Sequence, residues 1–223
     1  MAAQRRLNRD ELIATALAVA DAEGLEALTV RRVAQQHDVT PMALYRHFQD
    51  KDGLLDAVAE RLLADVSVPA PDGRPWDEQL NDVLIAILAG LRPHPNATIL
   101  LFTRILNSEP GLDLTERVLA LLADAGMSTE QGAEMACQTL ASLVTLVISE
   151  PGRTGTAAGP EQHEDEVRAR RAALLALSPR RHPHVVAAAD ALAECASEEA
   201  YYRRGVELII TGMRGIRPEP AAV

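Results

Sequence analysis

Apolar side chains recur near the N-terminus at the three- and four-residue spacing of an amphipathic helix. Leu12, Ala16, Val19 and Ala20 share one helical face, and Gly24 ends the run. The composition points the same way, because Ala, Leu, Arg and Glu are abundant whereas the chain has only 2 Phe, 3 Tyr and 1 Trp. We therefore predict an all-α fold.

Residues with capping side chains mark the starts of the first four predicted helices. Asn8, Thr29, Thr40 and Asp50 each precede an apolar run. Pro41 takes the first helical position after Thr40, where a missing N–H costs nothing. Four short helices are thus expected before the first proline-rich break in the chain.

That break, residues 69–75, predicts a boundary between two domains. We expect an N-terminal domain of residues 1–66, which ends in a linking helix over 51–66, and a larger helical domain of residues 74–217. Apolar spacing in the second domain predicts helices over 76–91, 95–107, 112–125, 129–149, 161–177, 185–196 and 198–214.

Basic residues are concentrated near the N-terminus, although the formal net charge is −10. The net charge argues against a protein that coats nucleic acid non-specifically, but it leaves room for a local DNA-reading surface. The N-terminal basic residues are Arg5, Arg6, Arg9, Arg31, Arg32, Arg46 and Lys51, the last being the only lysine. Two interpretations of Arg5, Arg6 and Arg9 stay open: an arm that contacts DNA, or a disordered terminus.

The second and third predicted helices are short and separated by the turn His37-Asp38-Val39. Packed on the first helix, such a pair is typical of helix-turn-helix DNA-binding proteins. At about 100° per residue, Leu44 and Phe48 share the face of the third helix that is expected to meet the core. The other side carries the residues available to DNA, which are Met42, Ala43 and Arg46, flanked by Tyr45 and His47.

The segment 24–58, GLEALTVRRVAQQHDVTPMALYRHFQDKDGLLDAV, resembles the DNA-binding domain of the tetracycline-repressor (TetR) family of bacterial transcription regulators. The gap-free match includes Gly24, Leu28-Thr29, Ala34, Val39, Leu44-Tyr45, His47-Phe48, Lys51 and Leu54-Leu55. Asp38 stands where the family usually has Gly, and we expect it to take the left-handed conformation of the turn.

This resemblance assigns DNA contacts residue by residue. It implies that Arg31 reaches a base edge and that Met42, Ala43 and Arg46 read the major groove. Pro41 would contact a base methyl group or a sugar. Phosphate contacts are implied for Thr29, Thr40, Tyr45, His47 and Lys51.

The segment 182–215 resembles the last helices of the tetracycline-repressor subgroup. By this resemblance, the apolar-rich helices predicted over 129–149 and 198–214 pair with their copies in a second chain as a four-helix bundle. A homodimer would place two reading helices one helical turn of DNA apart on a palindromic double-stranded operator. The expected dimer interface is Leu140, Val144, Val147, Val206, Ile209, Ile210 and Met213.

The resemblance further implies a small hydrophobic or amphipathic effector, held between the connecting helices and the long dimer helix. The candidate lining residues are Trp76, Leu101, Phe102, Ile105, Met135, Thr139, Leu143 and Glu150. Plain core packing is the alternative for each of them. Glu150 stands where the subgroup uses a carboxylate in its metal–drug site, but the predicted 95–107 helix has no His to complete such a site. We therefore expect no metal and no cofactor.

Other features give no support to an enzyme. His182 and His184 lie in a break between predicted helices and His163 lies near the start of one, and no Ser-His-Asp, Cys-His or phosphate-loop arrangement stands out. The longest apolar run, 139–148, is too short to span a bilayer.

Cys137 and Cys195 lack the spacing of a metal site and are expected to be buried and reduced. Together these features predict a cytoplasmic, DNA-binding repressor that its effector releases from the operator. Two alternatives on the same fold stay open, an effector-independent regulator and an activator.

Overall fold

The computed structural model of the chain describes residues 8–151, 160–194 and 197–216. Within these ranges every regular element is a helix, which confirms the predicted all-α fold. The α-helices are α1 (Arg9–Glu23), α2 (Val30–Gln36), α3 (Pro41–Leu44), α4 (Lys51–Ala64), α5 (Trp76–Leu91), α6 (Pro95–Thr98), α7 (Leu101–Arg104), α8 (Glu109–Asp124), α9 (Thr129–Ile148), α10 (Pro160–Leu175), α11 (Pro183–Ala187), α12 (Ala189–Ala193) and α13 (Glu198–Arg214). Ile105–Asn107 forms a turn of 3-10 helix.

The chain divides into two compact units, Met1–Ile148 with Val206–Val223 and Ser149–Gly205. The predicted boundary at residues 66–74 lies inside the first unit, because α4 packs on α1 and also on α5 and α8. The division into an N-terminal and a C-terminal domain at that connector stays a prediction.

The N-terminal helices enclose a small apolar core. Leu12, Val33, Leu44 and Leu54, one from each of α1 to α4, have no exposed surface. Phe48 is only 4% exposed, so the expectation that Leu44 and Phe48 face the core is confirmed. Each such side chain contributes about 1.5–3 kcal/mol by leaving water, and this burial stabilises helices that are too short to persist alone.

Side-chain caps fix the starts of three N-terminal helices. The predicted caps at Asn8, Thr29 and Asp50 are confirmed, since each side-chain oxygen accepts a hydrogen bond from an amide in the first helical turn. Thr40 takes the N-cap position of α3 but makes no capping hydrogen bond through its side chain. Its hydroxyl therefore keeps its capacity for another partner.

The helix α3 is a single turn that ends at Leu44, whereas the sequence predicted a helix through Phe48. The amide of Tyr45 bonds to the carbonyl of Pro41 at 3.3 Å, and the amides of His47 and Phe48 both bond to the carbonyl of Leu44, at 2.8 and 3.0 Å. Because two amides return to one carbonyl, the chain tightens into a turn. Phe48 still reaches the core.

The continuous helix predicted over 95–107 is wrong, since α6, α7 and the 3-10 turn divide this segment. The amides of Leu100, Phe102 and Thr103 bond to carbonyls three residues back, which is the spacing of a 3-10 helix and interrupts the α-helical ladder. The change of direction turns Leu101 fully inward and leaves Phe102 46% exposed.

The second compact unit contains α10, α11, α12 and the start of α13. The helix predicted over 185–196 is divided at Ala188, whose backbone angles (φ −96°, ψ 10°) leave the helical region. Arg171 on α10 forms an ion pair with Asp190 on α12, and both side chains are largely exposed. This exposed pair adds little to stability, so the buried Ala189 and Ala193 account for more of the packing of α12.

The expectation that Cys137 is buried is wrong, because its side chain on α9 is exposed. Thr139, two residues further along the helix, takes the buried position, and two residues separate opposite faces of a helix. Cys195 lies outside the described residues.

Within the described ranges, no single helix is long and apolar enough to cross a membrane. The helix α5 and the segment Pro95–Asn107 meet that test only as a pair, bent by 119° at the break between them.

Candidate nucleic-acid interface and apolar cavity

The turn between α2 and α3 is held against α1. The Nε2 atom of His37, at the C-terminal end of α2, lies 2.8 Å from the hydroxyl of Thr15 on α1. Asp38 has a φ of 54°, which confirms the left-handed conformation expected at this position. The amide of Val39 then returns to the carbonyl of Ala34 at 3.1 Å. These contacts fix the angle between the two helices and hence the direction in which α3 presents its outer side.

The residues assigned to DNA on α3 and the turn after it keep at least part of their side chains in solvent. Met42 is 71% and Tyr45 is 47% exposed. Thr40, Pro41 and Arg46 are exposed as well, whereas Ala43 and His47 are half-buried. The buried Leu44 anchors this surface from the inside.

Three basic side chains near α2, α3 and the start of α4 form no ion pair within the described part of the chain. Arg31, Arg46 and Lys51 are exposed, and none of them enters an ion pair with any residue in the described part of the chain. Arg32 differs, because its guanidinium is held by both carboxylate oxygens of Glu23, the shortest distance being 2.6 Å. Free cations on an outward face are suited to phosphate oxygens and guanine edges.

Two further residues near this face lie in defined positions. The hydroxyl oxygen of Thr29 accepts the amide of Arg32 at 3.0 Å, which leaves its proton available as a donor. The guanidinium of Arg9 lies over the ring of Phe48, 5.6 Å from its centroid. Arg5 and Arg6 lie outside the described residues.

A cavity of about 240 Å³ opens between α4, α5, α7, α8 and α9. Its wall is aliphatic and is formed by Leu63, Leu84, Ile87, Leu101, Ile105, Leu106, Leu114, Thr115, Val118, Leu119, Ala133, Ala136, Cys137, Thr139, Leu140 and Leu143. Apolar residues repeat along α5 and α8 at helical spacing, and the inward side of each helix becomes one wall of the cavity.

A cluster of charged side chains joins the start of α4 to the end of α7. The guanidinium of Arg104 lies 2.7 Å from Oδ1 of Asp52 and 2.5 Å from Oδ1 of Asp56, and Asn107 donates to Asp56 at 3.1 Å. Burial disfavours the charged form of Asp56, but the hydrogen bonds from Asn107 and Arg104 outweigh it, so the pKa of Asp56 lies below its ordinary value. Arg104 thereby pairs with both carboxylates at the start of α4, and it lies in the chain between two residues of the cavity wall, Leu101 and Ile105.

Known protein families match both the helix-turn-helix and the part of the chain that contains most of the cavity wall. A family described as "Bacterial regulatory proteins, tetR family" matches residues 12–58, and a second described as "Tetracyclin repressor-like, C-terminal domain" matches residues 68–216. The chain belongs to the TetR family. It is a DNA-binding transcriptional regulator.

Individual relatives agree with this assignment. An HTH-type transcriptional regulator of Saccharopolyspora erythraea is 28% identical over 211 residues, which are 93% of this chain and 84% of the relative. The class D tetracycline repressor protein of Escherichia coli is 35% identical over 131 residues, 57% of this chain and 59% of the repressor. The solved structure of the TetR family protein ActR from Streptomyces coelicolor, in complex with actinorhodin, matches with a TM-score of 0.79 at 26% identity, covering 94% of this chain and 96% of ActR.

Of the eight residues predicted to contact an effector in this TetR-family chain, half line the cavity. Leu101, Ile105, Thr139 and Leu143 line the cavity, whereas Trp76, Phe102, Met135 and Glu150 do not. Trp76 starts α5, about 12 Å along the helix from Leu84. Phe102 points outward, Met135 borders a different groove, and Glu150 belongs to the second compact unit.

Other wall residues had only a weak signal in the sequence. Leu84 and Ile87 on α5, and Leu114 and Val118 on α8, follow the apolar spacing that marks an inward face. That spacing cannot distinguish the wall of a cavity from a packed core. Leu63 on the linking helix was missed as well, because it is adjacent to this cavity only in three dimensions.

The residues predicted for the TetR-type dimer interface mostly point into the chain itself. Val144, Val147, Val206, Ile210 and Met213 are at most 5% exposed in the single chain. Leu140 lines the cavity, and Ile209 is half-buried. An outward groove lies beside them, formed by Met135, Gln138, Thr139, Ser142, Leu208, Ile209, Gly212, Met213 and Ile216. Most residues of these stripes are therefore buried within the single chain, and their part in a dimer interface stays a prediction.

Proposed function

We propose that this chain is a cytoplasmic repressor that binds a palindromic operator as a homodimer and leaves it when a small molecule fills the cavity. The observation that carries the DNA-binding part is the exposure of Arg31, Arg46 and Lys51 without ion-pair partners in the described part of the chain. Leaving three cations unpaired beside a helix-turn-helix stabilises nothing in the free protein, whereas contacts with DNA would use all three.

Each group on this face then has a role that suits its chemistry. Arg31 and Arg46 carry forked donors that match the O6 and N7 atoms of guanine, while Met42 and Ala43 offer apolar contact to a thymine methyl group. Pro41 lies against a base methyl or a sugar. The hydroxyls of Thr29, Thr40 and Tyr45, the ring of His47 and the ammonium of Lys51 donate to phosphates.

A second copy of the chain is part of this proposal, because one short reading segment gives little affinity by itself. The groove beside α13 supports such pairing, since Leu208 is 68% exposed there and Ile209 and Ile216 adjoin it. We therefore place the partner over the outward residues of α9 and α13.

The operator is tested by selecting bound sequences from a random DNA pool with the purified chain. Wild type is expected to select a palindrome, and Arg46→Ala is expected to lose about 1–3 kcal/mol and to relax one base position in each half-site. Arg61→Ala, an exposed arginine of α4 paired with Asp65, serves as the control and should select the wild-type site. Salt-sensitive binding without sequence preference would contradict the proposal.

Release by an effector requires that the ligand bind the DNA-incompetent arrangement more tightly. A tenfold to hundredfold loss of operator affinity corresponds to about 1.4–2.8 kcal/mol of coupling. The helix α4 is suited to transmit it, since Leu63 lines the cavity and Lys51 lies at the opposite end of the same helix. An effector-independent regulator would be expected to have a closed core at this place, so the open cavity favours the effector-released form.

Flexible residues inserted between Val66 and Pro69 test this route. We expect the insertion to leave operator binding intact and to abolish release by the ligand. Release at the wild-type ligand concentration would show that α4 and its connector do not carry the coupling.

A further inference from the structure

The wall of the cavity restricts the kind of effector that the proposed function requires. Among the described residues that line it, none is charged and none is aromatic. Only Thr115, Cys137 and Thr139 carry a side-chain oxygen or sulfur. A ligand in this cavity therefore meets mainly methyl and methylene groups wherever it touches the wall.

Both threonine hydroxyls of the wall donate their protons to backbone carbonyls of their own helices. The hydroxyl of Thr115 donates to the carbonyl of Gly111 at 2.8 Å, and that of Thr139 donates to the carbonyl of Met135 at 2.7 Å. Each oxygen can still accept one hydrogen bond, but neither can donate to a ligand without breaking its bond to the backbone. A carboxylate, phosphate or phenolate placed against this wall would consequently lose its water shell there and gain no donor beyond the weak Cys137 thiol.

The size of the cavity sets a second limit. An engineered apolar cavity of about 150 Å³ holds benzene, and this one measures about 240 Å³. By proportion it accommodates roughly ten non-hydrogen atoms, which corresponds to a two-ring arene or a branched hydrocarbon of similar bulk.

We propose that the effector of this chain is a compact, uncharged, hydrocarbon-like molecule that carries no ionised group and is held mainly by burial of its surface. This inference rests on the proposed function, since it names the ligand class of the same cavity. Metal-bound and anionic ligands would find no counter-charge on the same wall, because its described residues include neither a cation nor a carboxylate.

The mouth of the cavity is identified by the wall residues that remain in solvent. Leu106 is 58% exposed, and Ala133 and Cys137 are also exposed although they border the cavity. A bound ligand would cover the thiol of Cys137 at this mouth. Cys137 can therefore report occupancy of the cavity without any substitution.

Naphthalene and 2-naphthoate form a matched pair of probes, because they share one ring system and differ by a carboxylate. In calorimetric titrations of the full chain, we expect naphthalene to bind and 2-naphthoate to bind at least 100-fold more weakly. In parallel, alkylation of Cys137 by a maleimide, followed by peptide mass spectrometry, should slow at least threefold with saturating naphthalene. Binding of 2-naphthoate as tight as that of naphthalene would overturn the inference, and so would naphthalene binding that leaves Cys137 fully reactive.

Two sets of variants separate the wall chemistry from a folding defect. Thr115→Val and Thr139→Val remove the hydroxyls at constant shape and should leave naphthalene affinity within twofold or improve it. Ala136→Phe places a ring in the cavity and should weaken naphthalene at least tenfold, whereas Glu134→Phe, exposed on the same helix and outside the wall, should not. A tenfold loss in either valine variant would show that the ligand depends on hydrogen bonds.

The operator assay keeps this inference separate from the proposed function. If naphthalene does not bind while the chain still selects a palindromic operator, the hydrocarbon class is wrong and the regulator stands. If no operator is selected, the proposed function fails, whatever the probes do.

Discussion

Two adjacent arginines on α2 illustrate how a single residue acquires its role. Arg32 is engaged by Glu23, and these contacts raise the pKa of Arg32 and lower that of Glu23. Arg31 is exposed and takes no part in that ion pair. Their sequence positions are nearly equivalent, so the partner and not the residue type decides which cation remains for DNA.

This difference gives a residue-scale prediction. Arg31→Ala is expected to weaken operator binding by about 1–3 kcal/mol, because a base contact is lost. Arg32→Ala should leave operator affinity within about threefold, since its partner is an exposed carboxylate and such pairs contribute about 0–1 kcal/mol. Fluorescence anisotropy with the selected operator measures both. Equal losses in the two variants would contradict the assignment of Arg31.

Asp38 gives a second prediction at this scale, because its φ of 54° is unfavourable for a residue with a side chain. Asp38→Ala is expected to lower the free energy of unfolding by about 1 kcal/mol, whereas Asp38→Gly should not lower it, since Gly takes positive φ without a steric penalty. Urea denaturation measures the difference. A glycine variant as unstable as the alanine variant would show that the aspartate side chain, not the backbone, matters at this turn.

At the scale of the helices, α8 begins in close contact with the 3-10 turn. A Cβ atom added at Gly111 would overlap the carbonyl oxygen of Ile105, a residue of the cavity wall. Gly132 on α9 is a useful contrast, because a Cβ there would meet nothing closer than Leu119 at 3.8 Å.

We therefore predict opposite effects for the same substitution on two neighbouring helices. Gly111→Ala should destabilise the chain by about 1–3 kcal/mol or more, since backbone atoms must move. Gly132→Ala should be neutral or stabilising by up to about 1 kcal/mol, as expected for alanine in a helix. Thermal unfolding followed by circular dichroism distinguishes them, and a stable Gly111→Ala variant would mean that the 3-10 turn moves easily.

The contact between α4 and α7 makes a pH-dependent prediction. The pKa of Asp56 is lowered in the folded chain, so its pairing stabilises the fold above the ordinary carboxyl pKa of about 3.9 and is lost as the pH falls through the lowered value. Arg104→Met should thus reduce the free energy of unfolding near neutral pH, and the difference from wild type should shrink below about pH 3–4. A difference that stays constant with pH would assign the loss to packing instead of charge.

For the whole molecule, the groove beside α13 decides whether two chains can act together. Leu208→Glu would place a charge in the outward groove, where Leu208 is 68% exposed. We expect this variant to sediment as a monomer and to lose at least about tenfold in operator affinity, since each 1.4 kcal/mol is a factor of ten. Leu112→Glu, at 52% exposure on α8 and outside that groove, is the control and should stay dimeric. A dimeric Leu208→Glu variant would require another interface.

The sequence predicted the local features of the helix-turn-helix well. Caps at Thr29 and Asp50, the turn at Asp38 and the inward Leu44 depend on residues a few positions apart, so spacing and side-chain chemistry suffice to identify them. The break within 95–107 was not predictable in this way, because it arises where Thr98 is buried and bonds back to the carbonyls of Leu91 and His94.

The sequence by itself determined the all-α fold, the starts of the N-terminal helices and the set of residues that α3 can offer to DNA. Only the tertiary structure decided which apolar residues form a cavity wall and which apolar residues of α9 and α13 are buried within the single chain. It also decided that Arg32, and not Arg31, forms an ion pair. The physical reason is that periodicity assigns a residue to a face of its own helix, whereas its neighbours come from helices that are distant in the chain. Leu63, Leu84 and Leu143 belong to three such helices and meet only at the cavity.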